Sequence, residues 1–276
     1  FEEVRVGALA EKIKDMPKAD KVPSLKVATR NDSKFENSFD TSALQFYGPE
    51  KAMYQVASNF NCLEVGSVHT NPFSGYYVTK KMIDVTQGPS AAGGAGLGSI
   101  MRTAKHKQSG IDLLRDVNLK HTNGKLKWFN FQEDIDHHAV RIGLHTNVPA
   151  NFLRTWKDFE YNENGPKIDQ VFTSTCICQS GKPNKLSEIL LQSAYDGTYL
   201  AAVSRQSPKL VLTLIGGGCF NNNEKQIATA IANAHNKYSQ YLKPGCEVIL
   251  PIYDRYNATI LATLKDKTEV THVTYE

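Results

Sequence analysis

The chain has 276 residues, 41% of them hydrophobic and 22% charged, with a formal net charge of +4. This is the composition of an ordinary globular protein, and the length admits one large domain or two small ones. No run approaches the roughly 18 apolar residues of a membrane span. Five scattered cysteines exclude a disulfide scaffold, and so modest a charge does not single out nucleic acid as a partner.

In chain order, Val4 to Leu9 and Val22 to Val27 read as short strands, and the polar run Asn31 to Asp40 as a loop. Ala52 to Phe60 suits a strand or a short helix, which periodicity does not separate in so short a run. Residues 66–86, rich in Ser, Thr, Asn, Gly and aromatics, predict an extended surface excursion. It leads into a first glycine-rich stretch, Gln87 to Gly98, where Gly88, Gly93, Gly94 and Gly96 would let a backbone approach a ligand or another backbone. Residues 109–165 read as a decorating insertion, with Trp128 to Phe131 and Val140 to Leu144 as short strands or loop anchors. Asn162 to Pro166 is a turn.

Beyond Ile168 the pattern alternates. Val171 to Ile177 has the branched apolar character of a central strand, and Leu186 to Val203 recurs at helical spacing with Ser187 as its cap and Gly197 as a weak point. Leu210 to Ile215 is a second buried strand that runs straight into Gly216, Gly217 and Gly218. A helix from Glu224 to Tyr238 and a strand from Glu247 to Ile252 follow. Strand and helix in alternation predict an α/β fold with a mainly parallel sheet covered on both sides, as one domain.

In such sheets ligands sit at the carboxyl ends of strands, where the second glycine stretch lies. Successive glycines open dihedrals closed to other residues, and amides there and at the following helix start can face phosphate oxygens. Neither stretch has the Gly-x-x-x-x-Gly-Lys-Ser/Thr order of a triphosphate loop, and Gly94-Ala95-Gly96-Leu97-Gly98 misses the dinucleotide fingerprint in its last spacing. A phosphate-bearing ligand fits better than kinase or dehydrogenase chemistry.

The segment Leu212 to Asn222, with Gly216, Gly217, Gly218, Cys219, Phe220 and Asn221 at its centre, resembles the strand and diphosphate loop of the macro-domain superfamily. Val171 to Cys176 with the helix after it, Glu247 to Asp254, and Gln55 to Asn61 followed by Gln87 to Gly98 are similar to other blocks of that family. The resemblance runs over residues 45–262. It implies a three-layer α/β/α macro-like domain with an N-terminal extension and insertions near 66–86 and 109–165, and no cofactor.

It further implies binding of ADP-ribose or an ADP-ribosylated macromolecule, with or without hydrolysis of the linkage. Either Asn59 or Asn61 matches the ribose-contacting asparagine, while residues 62–86 stand where the family passes almost directly to its glycines. Gln87 is a candidate for a ribose hydroxyl or carbonyl. Glu64 and Asn61 are the candidates for catalysis, Glu64 as acid or water-positioning base. The Glu-Glu pair of poly(ADP-ribose) glycohydrolases has no counterpart after either glycine stretch; Glu2-Glu3 reads as a solvated end. The contrasting reading is a noncatalytic reader of single-stranded nucleic acid or modified protein, for which Lys125-Leu126-Lys127-Trp128 is the weak basic and aromatic signal.

Asp134, Asp136, His137 and His138 raise a metal, but neighbouring histidines on a helix or strand point apart, so none is expected. The basic clusters Lys80-Lys81 and Lys105-His106-Lys107 read as solvated surface, and Cys176 and Cys178 as buried thiols. No membrane partner is expected. A soluble chain is, with the cytoplasm preferred and oligomeric state left open.

Overall fold

The computed structural model describes residues 1–30, 41–64, 91, 94–127, 135–154, 159–178, 181–252 and 258–275. The expected features at Asn31 to Asp40, at residues 66–86, at Gln87, Gly88 and Gly93, and at Trp128 to Phe131 lie outside them.

The strands are β1 (Glu2–Arg5), β2 (Leu25–Arg30), β3 (Met53–Ala57), β4 (Arg141–Pro149), β5 (Phe152–Arg154), β6 (Phe159–Tyr161), β7 (Lys167–Thr173), β8 (Lys209–Val211), β9 (Glu247–Ile252) and β10 (Val270–Tyr275). The helices are α1 (Val6–Lys12), α2 (Thr41–Phe46), α3 (Gly96–Ser109), α4 (Lys185–Arg205), α5 (Glu224–Tyr238) and α6 (Ala258–Lys267). Eight strands form one sheet in the order β1-β4-β7-β3-β8-β9-β2-β10. From β7 to β10 the neighbours are parallel; β1 and β4 extend the sheet antiparallel, and β5 and β6 make a separate hairpin.

Alternation along the strands divides the core. Val27, Met53, Leu210 and Val248 face one way into the cluster that includes α1, α4, α5 and α6. Their neighbours Ala28, Tyr54, Val211 and Ile249 face the other way, with Ala95 before α3 and Leu44 of α2. The result is the three-layer α/β/α arrangement. No described helix is long and apolar enough to cross a membrane.

Several elements depart from the sequence reading. Val4 to Leu9 is not one strand: β1 ends at Arg5 and Val6 begins α1, whose Val6 and Leu9 are buried a turn apart. The helical cap of α4 is Asn184, whose side chain accepts from the Ser187 amide at 2.7 Å; Ser187 is the recipient. Gly197 in that helix has a packing reason, because a Cβ there would sit 2.5 Å from Ile142 Cγ2 of β4. β4 falls inside the expected insertion, yet it bridges β1 and β7. Glu3 is no solvated end: its side chain is 7% exposed and accepts from Arg115 at 2.6 Å and from the Asp112 amide at 3.1 Å.

Candidate functional site

β7, β3 and β8 are adjacent and parallel, so the segments that leave their carboxyl ends emerge along one edge of the sheet. These are Ser174–Cys178, Ser58–Leu63 and Leu212–Asn222.

β8 is shorter than its apolar run suggests. The Leu212 amide still reaches the Ile249 carbonyl at 2.8 Å, but the Thr213 amide donates to Gln55 Oε1 of β3 at 3.1 Å. The Thr213 carbonyl accepts from the Tyr195 hydroxyl at 2.9 Å, and that oxygen accepts the Ile215 amide at 3.0 Å. Side chains thus replace ladder partners and turn the chain outward. Tyr195 is wholly buried, and burial pushes its phenol well above the ordinary range, so it stays a neutral donor.

The glycine loop then folds over a buried asparagine. Asn222 Nδ2 donates to the carbonyls of Cys176 at 2.9 Å, Phe220 at 3.3 Å and Gly216 at 3.4 Å. Its Oδ1 accepts from Thr175 Oγ1 at 3.3 Å and from the Ser187 hydroxyl. Gly216 has φ +73°, and a Cβ there would lie 2.5 Å from both Asn222 Nδ2 and Thr175 Cγ2, so only glycine fits. Gly217, Gly218, Cys219 and Asn221 are exposed and Phe220 is half-buried. A Cβ at Gly218 would meet nothing within 4 Å.

Among the described residues, the amides of Gly218, Cys219 and Phe220 have no intramolecular acceptor, whereas those of Gly217 and Asn221 close turns onto Leu214 and Gly218. Three neighbouring amides without acceptors are suited to an anion. The start of α5 is not: Asn223 already caps it through the Gln226 amide at 3.2 Å, and Glu224 puts a negative charge in its first turn. The start of α5 is thus already occupied by its own cap, and the open amides are those of the loop.

After β3 the chain makes a tight turn. Asn59 Nδ2 donates to the Leu63 carbonyl at 2.8 Å, Asn61 Oδ1 accepts the Leu63 amide at 3.2 Å, and Cys62 takes φ +59° between them. Both asparagines are buried, and Asn61 packs against Gly124 so closely that a Cβ there would fall 2.5 Å from its Oδ1. Glu64 follows the turn, half-buried. In the first stretch Gly94 lies against another backbone segment. A Cβ on Gly94 would lie 2.7 Å from the Phe152 carbonyl, and Gly96 opens α3.

Cys176 and Cys178 are buried as expected, their sulfurs 3.9 Å apart beside Asn222. Hydrogen bonding from Cys176 pulls the Cys178 thiol down to about 6, with Asn184 and Ser187 helping against the cost of burial. The expectation that His137 and His138 point apart fails because residues 137–139 form a turn, not a helix or strand. Their rings lie 4.2 Å apart between centroids, and both reach Asp196 of α4.

Solved structures share this fold. The poly(ADP-ribose) glycohydrolase of Thermomonospora curvata matches with TM-score 0.53 at 13% identity, over 96% of this chain and 85% of its own. A mutant of the Deinococcus radiodurans glycohydrolase in complex with ADP-ribose matches with TM-score 0.53 at 12% identity, over 96% and 93%. Another structure of the Deinococcus enzyme with ADP-ribose gives 0.52 at 12%, over 96% and 92%. The chain has a macro-domain fold. No family model and no curated protein matches it.

The sequence singles out the glycine loop but not the residues that hold it. Gln55 stands out only as a polar residue inside an apolar strand, and Asn222 is one of three successive asparagines with nothing to single it out.

Proposed function

We propose that this chain binds ADP-ribose, free or attached to a macromolecule, with the diphosphate on the loop Gly216 to Asn221. The observation that carries the proposal is the set of acceptor-free amides at Gly218, Cys219 and Phe220, in a loop fixed by buried Asn222 at the carboxyl end of β8. The macro-domain fold supports it, as does the ADP-ribose held by the Deinococcus glycohydrolase. The first glycine stretch, with Gln87, Gly88, Gly93, Gly94 and Gly96, would border the ribose side. Asn59 and Asn61 hold the turn that presents Glu64, and a direct ribose contact would come from whichever amide edge faces the ligand.

Recognition is the primary activity, and hydrolysis of the ADP-ribosyl linkage rests on Glu64. Cleavage needs a group to position water and one to protonate the leaving oxygen. Glu64 is the carboxylate that follows the β3 turn, and Asn61 orients that turn. Calorimetry with ADP-ribose tests binding; a folded wild type that gives no binding rejects the proposal. Incubation with ADP-ribosylated protein tests hydrolysis: release by the wild type, lost in Glu64→Gln with ADP-ribose affinity retained, is the expected result. Binding without release assigns a reader. Salt-dependent binding of an oligonucleotide that ADP-ribose does not displace would replace the proposal with nucleic-acid recognition.

A further inference from the structure

We infer that His137, His138 and Asp196 form a binding site for one divalent transition-metal ion of the zinc class, at the rim of a groove between α4 and α5. One ligand atom from each residue lies within 4.8 Å of the others. A tetrahedral zinc ion with bonds of about 2.1 Å holds its ligand atoms roughly 3.4 Å apart. His137 Nε2 and Asp196 Oδ2 are already at 3.4 Å. A separation at the 4.8 Å limit has to shorten by about 1.4 Å to meet that geometry.

The donor set suits the ion: two imidazoles and a carboxylate are borderline ligands of the kind zinc takes. His138 Nε2 is shielded from solvent and has no hydrogen-bond partner among the described residues, an orphaned atom that a protein interior seldom leaves. A neutral imidazole nitrogen has the lone pair that such an ion takes. The local backbone imposes the convergence, since Asp136 Oδ1 accepts the His138 amide at 2.9 Å within the turn.

Asp196 is 1% exposed and already oriented from outside the cluster. Gln192 Nε2 donates to its Oδ1 at 2.6 Å, and the Tyr238 hydroxyl to its Oδ2 at 3.2 Å. Such outer partners fix a ligating carboxylate. The Lys237 ammonium, 3.9 Å from Oδ2, occupies part of the space a cation would take, but its side chain is 55% exposed and can swing clear. His137 also lines the groove of about 590 Å³ with Glu188, Gln192, Gln226 and Asn233. Three protein ligands leave a fourth position for water, open on the groove side. The site uses no residue of the glycine loop, so it stands apart from the ADP-ribose proposal.

The test is a titration of the tag-free, chelator-stripped chain with Zn²⁺ alone, and with Co²⁺ as a spectroscopic probe. One equivalent of Zn²⁺ is expected, with visible Co²⁺ absorption of a tetrahedral, thiolate-free site. His137→Gln and His138→Gln should each weaken Zn²⁺ at least tenfold, with unchanged unfolding midpoints in chelator; both side chains are partly exposed. A Cys176→Ser/Cys178→Ser variant should bind as the wild type does. Wild-type chain that takes up no Zn²⁺ overturns the inference. So does uptake that survives His138→Gln or vanishes with the cysteine substitutions.

Discussion

Asn222→Ala removes the side chain that ties the glycine loop to the sheet edge. The variant takes a side-chain donor from the Cys176, Phe220 and Gly216 carbonyls and the acceptor from the Thr175 and Ser187 hydroxyls. The Phe220 and Gly216 carbonyls keep the Cys178 and Asn222 amides at 2.7 and 3.0 Å, whereas the Cys176 carbonyl and the Thr175 and Ser187 hydroxyls belong to buried residues. Three stranded groups at about 1 to 3 kcal/mol each predict a loss of roughly 3 to 9 kcal/mol in unfolding free energy. Asn222→Asp keeps the volume but turns an acceptor toward three carbonyls, and should cost at least as much. Because the amides of Gly218 to Phe220 are held in place by the same bonds, ADP-ribose affinity should fall at least tenfold, about 1.4 kcal/mol. Urea unfolding and calorimetry measure the two quantities. A loss below about 0.5 kcal/mol, the range of an ordinary surface substitution, with affinity unchanged would refute the role given to Asn222.

Two further outcomes follow from burial. Burial pulls His145 down to about 3, with the Arg102 charge adding to it, and pulls His235 down to about 4. Both are neutral in the fold, so the unfolded chain binds more protons below its ordinary histidine range. Stability is therefore full above about pH 6.5 and falls toward pH 4, at up to about 1.4 kcal/mol per pH unit for each histidine. Unfolding followed from pH 7 to 4.5 should show this slope, reduced in His145→Gln; an unchanged slope in the variant contradicts it. Cys219 is the exposed cysteine, so one thiol should react rapidly in the native chain and five after denaturation. A bulky maleimide on Cys219 should weaken ADP-ribose at least tenfold while Cys219→Ser binds normally, and equal affinity in the labelled chain refutes the loop as the site.

The parts of the fold that were legible in sequence are those where local signals agree. The helix Glu224–Tyr238 and the strand Glu247–Ile252 have the expected bounds, the first from a 3.6-residue period that puts Ile227, Ile231, Ala234 and Tyr238 on one face, the second from a continuous apolar run. Val6 to Leu9 misled because an apolar run that short fits either period, and its helix is decided by packing of Val6 and Leu9 into the main core. β8 ends early because Gln55 and Tyr195 satisfy Thr213 and Ile215, and tertiary partners of that kind leave no trace in the local pattern. The glycine loop was legible through Gly216, Gly217 and Gly218; Asn222 was not, since what distinguishes it from Asn221 and Asn223 is burial alone. The convergence of His137 and His138 on Asp196 depends on a turn and on a residue some sixty positions away in the chain, which no local period reports.

The central claim is that the Gly216 to Asn221 loop receives the diphosphate of ADP-ribose. A Cβ on Gly218 meets nothing within 4 Å and the residue lacks a left-handed φ, so Gly218→Val should fold with an unchanged unfolding midpoint while filling the space in front of the free amides. Side-by-side ADP-ribose titration of wild type and Gly218→Val is the most direct measurement. The account predicts one bound ADP-ribose in the wild type and at least a tenfold weaker affinity in the variant. No binding by the folded wild type, or equal binding by Gly218→Val, would contradict it.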